Sequence, residues 1–537
     1  MPVMMNAKAI NQRTDGIKIP YKPFFTSLEV LSSTSSYLHI KNGAIFNQKR
    51  NQREIKGRME IRMGGYEKGG AVAAGSYILP LDLSRVACMN ELSKNATAAF
   101  WECTKDFESR LGDTLGKRAS ISRDKYIYFS REKPSVYIEK DNNFEFPLEG
   151  YGRALLDLSK KFLRYEGLLS HEIAFNTQQI QRYFLNSESS KIYTSSSDFE
   201  LKIELNALDE EDYIIPYLVV FHRKQGELLP TPNEILKQIK KAHKNLQEIV
   251  HAPKEKNDGY PTIMCPKNHG VLFHEVFGHS AEAHRMQADD DEDSFLEYSP
   301  VVTLLKDRIG EQITPDFITL VDDPGRKDMY GYYKFDNEGI PAQKVCLIEN
   351  GKLKNYIHDR QSAGYYKTQS NGHGISSETL DPCVRQSNLI VSSNREYTLD
   401  QLKSQLREEC LKRGKKYGLI FEGVGKGEAM PEDCFYNTFP VNIFRMYTNG
   451  KKERVRGVYV VGTPDETFPN ILATGNDYDS FRGLCGAESG DIPGEERAPS
   501  LLLGNLGVNQ INFSTCFDNF GIPIISFPKQ KHHAKKT

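Results

Sequence analysis

The hydrophobic pattern of the first part of the chain is mostly that of strands and turns. Tyr37-Leu38-His39-Ile40 and Ala44-Ile45-Phe46 flank Lys41-Asn42-Gly43, and Asn-Gly supplies the positive φ angles a two-residue hairpin needs. Tyr126–Phe129 and Val136–Glu139 predict a second pair around Glu132-Lys133-Pro134. Glu200–Leu205 and Tyr213–His222 predict a third, across the acidic Asp209-Glu210-Glu211-Asp212. Between them, Gly152–Leu163 carries apolar residues at helical spacing.

The clearest helix start is Thr231-Pro232-Asn233-Glu234, with a Thr cap, Pro in the first turn and Glu three residues after the cap. From there Ile235, Leu236, Ile239, Ala242, Leu246, Ile249 and Val250 fall on one face, and Pro253 stops the run. The polar stretch Lys254–Tyr260 divides the chain into an N-terminal α/β domain (1–255) and a second domain (256–537). The second is again strand-rich, with turn signals at Asp336-Asn337-Glu338-Gly339, Glu349-Asn350-Gly351 and Thr448-Asn449-Gly450, and a helix expected near Leu399–Arg413. The expected class is α+β.

Composition narrows the function. The 537 residues hold 70 Lys+Arg against 71 Asp+Glu, a net charge of -1, so there is no basic excess with which to grip nucleic acid. No run approaches 18 apolar residues, which argues against a membrane span. The N-terminus shows no apolar leader segment, and nine cysteines are scattered without CxxC pairs. Both features fit free thiols in a reducing cytoplasm. The closing KQKHHAKKT reads as a frayed basic tail.

Candidate chemistry concentrates in Asn268-His269-Gly270-Val271-Leu272-Phe273-His274-Glu275-Val276-Phe277-Gly278-His279-Ser280. In the familiar HExxH zinc motif, an i,i+4 spacing puts both imidazoles on one helix face. Here the spacing is i,i+5, which at about 100° per residue leaves the rings roughly 140° apart. A regular helix would separate His274 and His279 into independent hydrogen bonds; a π-turn would bring them together. Gly278 lowers the cost of such a distortion. If the rings share zinc, Glu275 is placed to take a proton from an activated water. Glu282, His284, His373 and Cys485 are open as the third ligand, and Glu282 could instead orient His279.

Other patterns carry less. Gly423-Val424-Gly425-Lys426-Gly427 lacks the Gly-x4-Gly-Lys-Ser/Thr form of a phosphate loop and reads as a tight loop between strands. Asp289–Asp293 lacks Ca²⁺-loop spacing and reads as a solvated acidic loop.

The chain resembles the TldD/PmbA family, known as modulators of DNA gyrase and understood as zinc metalloproteases. HEVFGH matches the family's HExxxH motif, followed in family order by DNEGIPAQKVCLIENGKLKNYIHDRQSAGYY (336–366), SNGHG, RQSN (385–388) and ATGNDYDSFRGLCGAESGDIP (473–493). The similarity is loose over residues 1–230. The resemblance implies His274 and His279 as metal ligands, Glu275 as the catalytic glutamate and Cys485 as the third ligand to one Zn²⁺. Glu282 and His373 are then left as residues orienting ligands or lining the substrate. An intact HExxxH places the chain on the TldD-like side, since PmbA-like relatives lack it. It further implies a C-terminal domain dominated by antiparallel sheet and carrying the metal-binding helix. Two chains, either a homodimer or a heterodimer with a PmbA-like protein, would enclose a cavity admitting unfolded peptides. A non-catalytic peptide-binding subunit of such a complex is the alternative.

Overall fold

The computed structural model describes residues 21–66, 69–116, 128–140, 148–224, 226–286, 305–430 and 435–511. The acidic run at Asp289–Asp293, the basic tail, Cys434 and Cys516 lie outside these residues. The fold is α+β. Its N-terminal sheet has seven strands. Their order is Gly69–Ile78, Ala44–Gly65, Phe25–Lys41, Ser170–Asn186, Lys191–Leu208 and Val136–Ile138, with Ile214–Lys224 also paired to Lys191–Leu208.

The local turn chemistry holds where it is strongest. Asn42 and Gly43 both take positive φ (45° and 79°), closing the hairpin with Lys41 opposite Ala44. The strands it joins are far longer than the alternating stretch, because Phe25–Lys41 is paired on both sides. The hairpin across residues 209–212 also forms.

The second expected pair is not seen among the described residues. Val136–Ile138 instead lies parallel to Lys191–Tyr193, and residues 126–127 are outside the described set. Lys191 N–H donates to the Ser135 carbonyl at 2.8 Å and Ser135 N–H to Ser190 Oγ at 3.1 Å. Pairing satisfies backbone groups wherever an edge is open, and a distant sheet edge outcompeted the local turn.

Among the described residues three helices cover this sheet, the first being Arg85–Gly116, which packs Ala99, Phe100 and Cys103 against Ile61, Met63, Ala71 and Ala73. Leu148–Phe162 brings Leu155, Leu158 and Phe162 into the core. Pro232–Val250 starts with the reciprocal Thr231–Glu234 capping box and buries Ile235, Ile239, Ala242, Leu246, Ile249 and Val250. Each such apolar side chain contributes about 1.5–3 kcal/mol on burial.

Among the described residues the C-terminal half holds a ten-stranded sheet, a six-stranded sheet and a two-stranded one. In the ten-stranded one, Asp258–Met264 lies centrally, antiparallel to Leu501–Gln510 and parallel to Tyr417–Phe421. One edge of that sheet is Val424–Met430, so the glycine-rich segment is a strand rather than a loop. Of its glycines, Gly427 serves a close approach, since a Cβ there would sit 2.4 Å from Glu275 Oε1. The six-stranded sheet ends on Asp479–Ala487. Positive φ at Gly339, Asn350, Gly351 and Gly450 places turns at the three expected positions. The helix expected near 399–413 spans Leu399–Lys412, with a Thr398–Gln401 capping box. Seven cysteines are free among the described residues. No helix of the described residues is long and apolar enough to cross a membrane.

Candidate metal centre

The strand Asp258–Met264 ends at Cys265, and Pro266 opens a short helix, Pro266–Phe273. Proline suits that position because its missing N–H would have no partner there. The helix then widens into a π-turn over His274–Gly278, and the His279 N–H donates to the His274 carbonyl five residues back. A tight 3-10 turn follows at His279–Ala281, and Glu282 returns to extended backbone. The π-turn brings the two imidazoles together, with ring centroids 4.9 Å apart and planes at 89°.

Gly278 has ordinary helical angles (φ -56°, ψ -57°), so its backbone freedom is not what the turn uses. Its bare Cα matters instead, since a Cβ there would sit 1.6 Å from Gln386 Oε1. Gln386 Nε2 donates to the His274 carbonyl at 3.2 Å, bracing the π-turn from outside.

Cys485 enters from the edge strand Asp479–Ala487, its Sγ 3.5 Å from His279 Nε2. One donor atom from each of His274, His279 and Cys485 lies within 4.8 Å of the others. The buried guanidinium of Arg385 donates to the carbonyls of Cys485 and Gly490 at 2.5 and 2.8 Å and to Ser489 Oγ at 3.0 Å, fixing this hairpin. Each ring is held through Nδ1, which leaves Nε2 for the centre. His274 Nδ1 donates to Glu496 at 2.7 Å, and His279 Nδ1 to Glu282 at 3.2 Å. Arg285 in turn donates to Glu282 at 2.6 Å.

The electrostatics follow from this packing. Burial opposes ionisation of Cys485, but the His279 and His274 imidazoles outweigh it and hold the thiol well below its ordinary range. Burial likewise disfavours charged His279, yet Glu282 and Cys485 raise it to about 9. Burial pushes the Glu275 carboxyl up to about 7 against the pull of both imidazoles. Glu275 Oε2 is 3.9 Å from His279 Nε2.

This donor set fits a borderline divalent ion such as zinc. A tetrahedral ion bonded at about 2.0–2.3 Å spaces its ligands roughly 3.3–3.8 Å apart, a range that includes the 3.5 Å between Cys485 Sγ and His279 Nε2. Two imidazoles and an ionised thiol would supply three ligands, and carboxylates behind both rings fix their orientation.

The model of the PmbA/TldA metallopeptidase C-terminal domain matches residues 257–510. Residues 257–510 carry the C-terminal domain of the PmbA/TldD family. Among curated relatives, a metalloprotease of Methanocaldococcus jannaschii is 26% identical over 44% of this chain and 47% of its own length. That match therefore spans about half of the relative. A zinc metalloprotease TldD homolog of Saccharolobus solfataricus is 22% identical over 77% of this chain and 88% of its own length. The solved structure of TldE from Thermococcus kodakarensis shares the fold, with a TM-score of 0.60 at 15% identity over 90% of this chain and 97% of that one.

Within this PmbA/TldD domain the remaining candidates separate. Glu282 sits against His279. His284 is directed to Glu488 at 2.7 Å, in a different cluster. His373 does not line a substrate surface: it is fully buried, with Nδ1 2.9 Å from Asn371 Oδ1 and Nε2 3.7 Å from Asp322 Oδ1. A glycine-bounded segment around it let that ring be enclosed by the core. Sequence reasoning missed Glu496, which has no local signal, and Gln386, whose RQSN motif carried resemblance but no role. It also missed Gly427, where a Cβ would sit 2.4 Å from Glu275 Oε1.

Proposed function

We propose that this protein is a zinc-dependent peptidase that cleaves unstructured peptides, with His274, His279 and Cys485 as ligands and Glu275 as general base. One observation carries the reading: a π-turn and an edge strand converge three ligand-type side chains on one point beside a buried glutamate. Zinc held there would polarise the scissile carbonyl and acidify a water.

The chain's own residues do the rest. Glu496 and Glu282 hold the imidazole tautomers, so each Nε2 stays unprotonated when metal is present. Glu275, buried beside His279, takes the proton from the attacking water at a carboxylate oxygen and passes it to the leaving amine. Among the described residues, Val424–Met430 is paired on one side only, to Phe435–Pro440. Its free edge is suited to an extended peptide bound through backbone hydrogen bonds, which gives broad sequence tolerance. Gly427 on this strand lets the Glu275 carboxylate approach. A dimer, with a second copy or a PmbA-like chain, would close such a site to folded proteins.

The test is to incubate zinc-loaded protein with a mixture of unstructured peptides and map new termini by mass spectrometry. Cleavage lost on chelation and restored by zinc is the expected result. Peptides that are retained but never cut would establish a non-catalytic binding subunit instead.

A further inference from the structure

A second donor cluster lies beside the site, made of residues the mechanism does not use. His284 sits on the 3-10 turn Ala283–Met286. Cys383 opens the two-residue strand Cys383–Val384, paired with Gly374–Ile375. Glu488 occupies the turn between Asp479–Ala487 and Gly490–Ala498. One donor atom from each of the three falls within 4.8 Å of the others.

Two further observations bear on the cluster. The Nδ1 atom of His284 is buried with no hydrogen-bond partner, so only the Nε2 contact to Glu488 orients the ring. The Cys383 thiol makes a long contact, 3.9 Å, with the carbonyl of the next residue and a hydrogen bond with Ser489, and burial keeps it protonated until a cation binds. An imidazole, a thiolate and a carboxylate together select a borderline-soft ion such as Zn²⁺ over Mg²⁺ or Ca²⁺, which require oxygen. The charges also match, because a thiolate and a carboxylate balance a divalent cation. Arg285 opposes a cation here, lying 3.4 Å from Glu488 Oε2, but Oε1 is the oxygen turned to His284 at 2.7 Å.

We propose that His284, Cys383 and Glu488 bind a second, structural zinc ion that ties the turn after His279 to the hairpin carrying Cys485. The placement gives the reason. Glu488 follows Cys485 by three residues on one hairpin, and His284 follows His279 by five on one run of turns. An ion joining them, with Cys383 as a third anchor, fixes both sides of the first centre. Arg285 already links the same parts, from Glu282 to Glu488.

The experiment counts metal. Full-length protein is equilibrated with Zn²⁺ buffered from nanomolar to micromolar, and bound zinc is measured by mass spectrometry. Wild type should take up two equivalents, and Cys383→Ser and Cys485→Ser one each. The Cys383→Ser/Cys485→Ser double variant should take up none. His284→Ala repeats the test should Cys383→Ser fail to fold. One equivalent in wild type that disappears with Cys485→Ser overturns the proposal. So does a full complement in both Cys383→Ser and His284→Ala. The two sites are separable: zinc retained by Cys485→Ser and lost on adding Cys383→Ser supports the second site even if the peptidase reading fails.

Discussion

The His279 backbone N–H donates to the His274 carbonyl, and that one i→i+5 bond converts a spacing that would separate the rings into one that joins them. Gln386 braces the same carbonyl and packs where a side chain on Gly278 would begin. Gly278→Ala therefore has to push Gln386 aside, at a cost of about 1–3 kcal/mol for a misfit in a packed interior. The expected outcome is a lower thermal midpoint and weaker zinc binding, both partly recovered in Gly278→Ala/Gln386→Ala. Equal losses in the single and double variants would show that Gln386 is not the obstacle.

Glu275 lies beside the candidate ligands without belonging to the set of three donors. Glu275→Gln preserves volume and removes the base. Zinc content should be unchanged while peptide cleavage falls by about 10²–10⁴, the range general acid–base catalysis contributes. Simultaneous loss of metal would show that the glutamate is a ligand.

Much of this geometry was legible in the residues, and the remainder was not for physical reasons. Asn42-Gly43 and the Thr231–Glu234 box are local, and they form as their chemistry dictates. The HEVFGH spacing posed the choice between a regular helix and a π-turn, but what braces the turn is Gln386, 112 residues downstream of His274. Glu496 is 222 residues from the ring it orients, and no periodicity links them. Val136–Ile138 failed as a local hairpin for the same reason: its partner edge is distant in sequence. Glu496 and Gln386 act over long range, whereas Glu282, three residues after the His279 ring it orients, is as local as the turns and caps.

Glu496 holds His274 from behind, so its removal should loosen the ligand rather than abolish it. Glu496→Gln can still accept through its amide oxygen and is expected to be mild. Glu496→Ala should weaken zinc binding by about 10–100-fold, the usual effect of losing a group that orients a ligand. Competition with a chelator of known affinity measures both. Equal affinity in all three proteins would remove Glu496 from the site.

Metal uptake should release protons. Without metal, His279 is raised to about 9 by Glu282 and Cys485 despite burial, and Cys485 is held well below its ordinary range by the two imidazoles. At pH 7 the thiol is then already ionised, while His279 and His274, the latter raised by Cys485 and Glu496 despite burial, are both protonated, so each ring has to lose a proton to ligate. Apparent affinity rises with pH at least to about 9, the folded value for His279. Calorimetry at pH 7 in buffers of different ionisation enthalpy should report at least one proton released per zinc. Measured on Cys383→Ser, the count belongs to the first site alone. Buffer-independent enthalpy would place neutral imidazoles in the metal-free protein.

Gly427 tests the link between the edge strand and the base. A Cβ at this position would lie 2.4 Å from Glu275 Oε1 and 2.6 Å from its Cγ, closer than carbon and oxygen can approach. Gly427→Ala must therefore turn the carboxylate or lift the strand Val424–Met430, which among the described residues is paired on one side only. The three ligand residues lie elsewhere, on the π-turn and its following residue and on Asp479–Ala487, so zinc content should be preserved. Turning the carboxylate lowers kcat with KM little changed, whereas lifting the strand raises KM for extended peptides. Steady-state kinetics on one peptide separates the two. Unaltered kinetics in Gly427→Ala would show that neither the glutamate nor this strand edge takes part in cleavage.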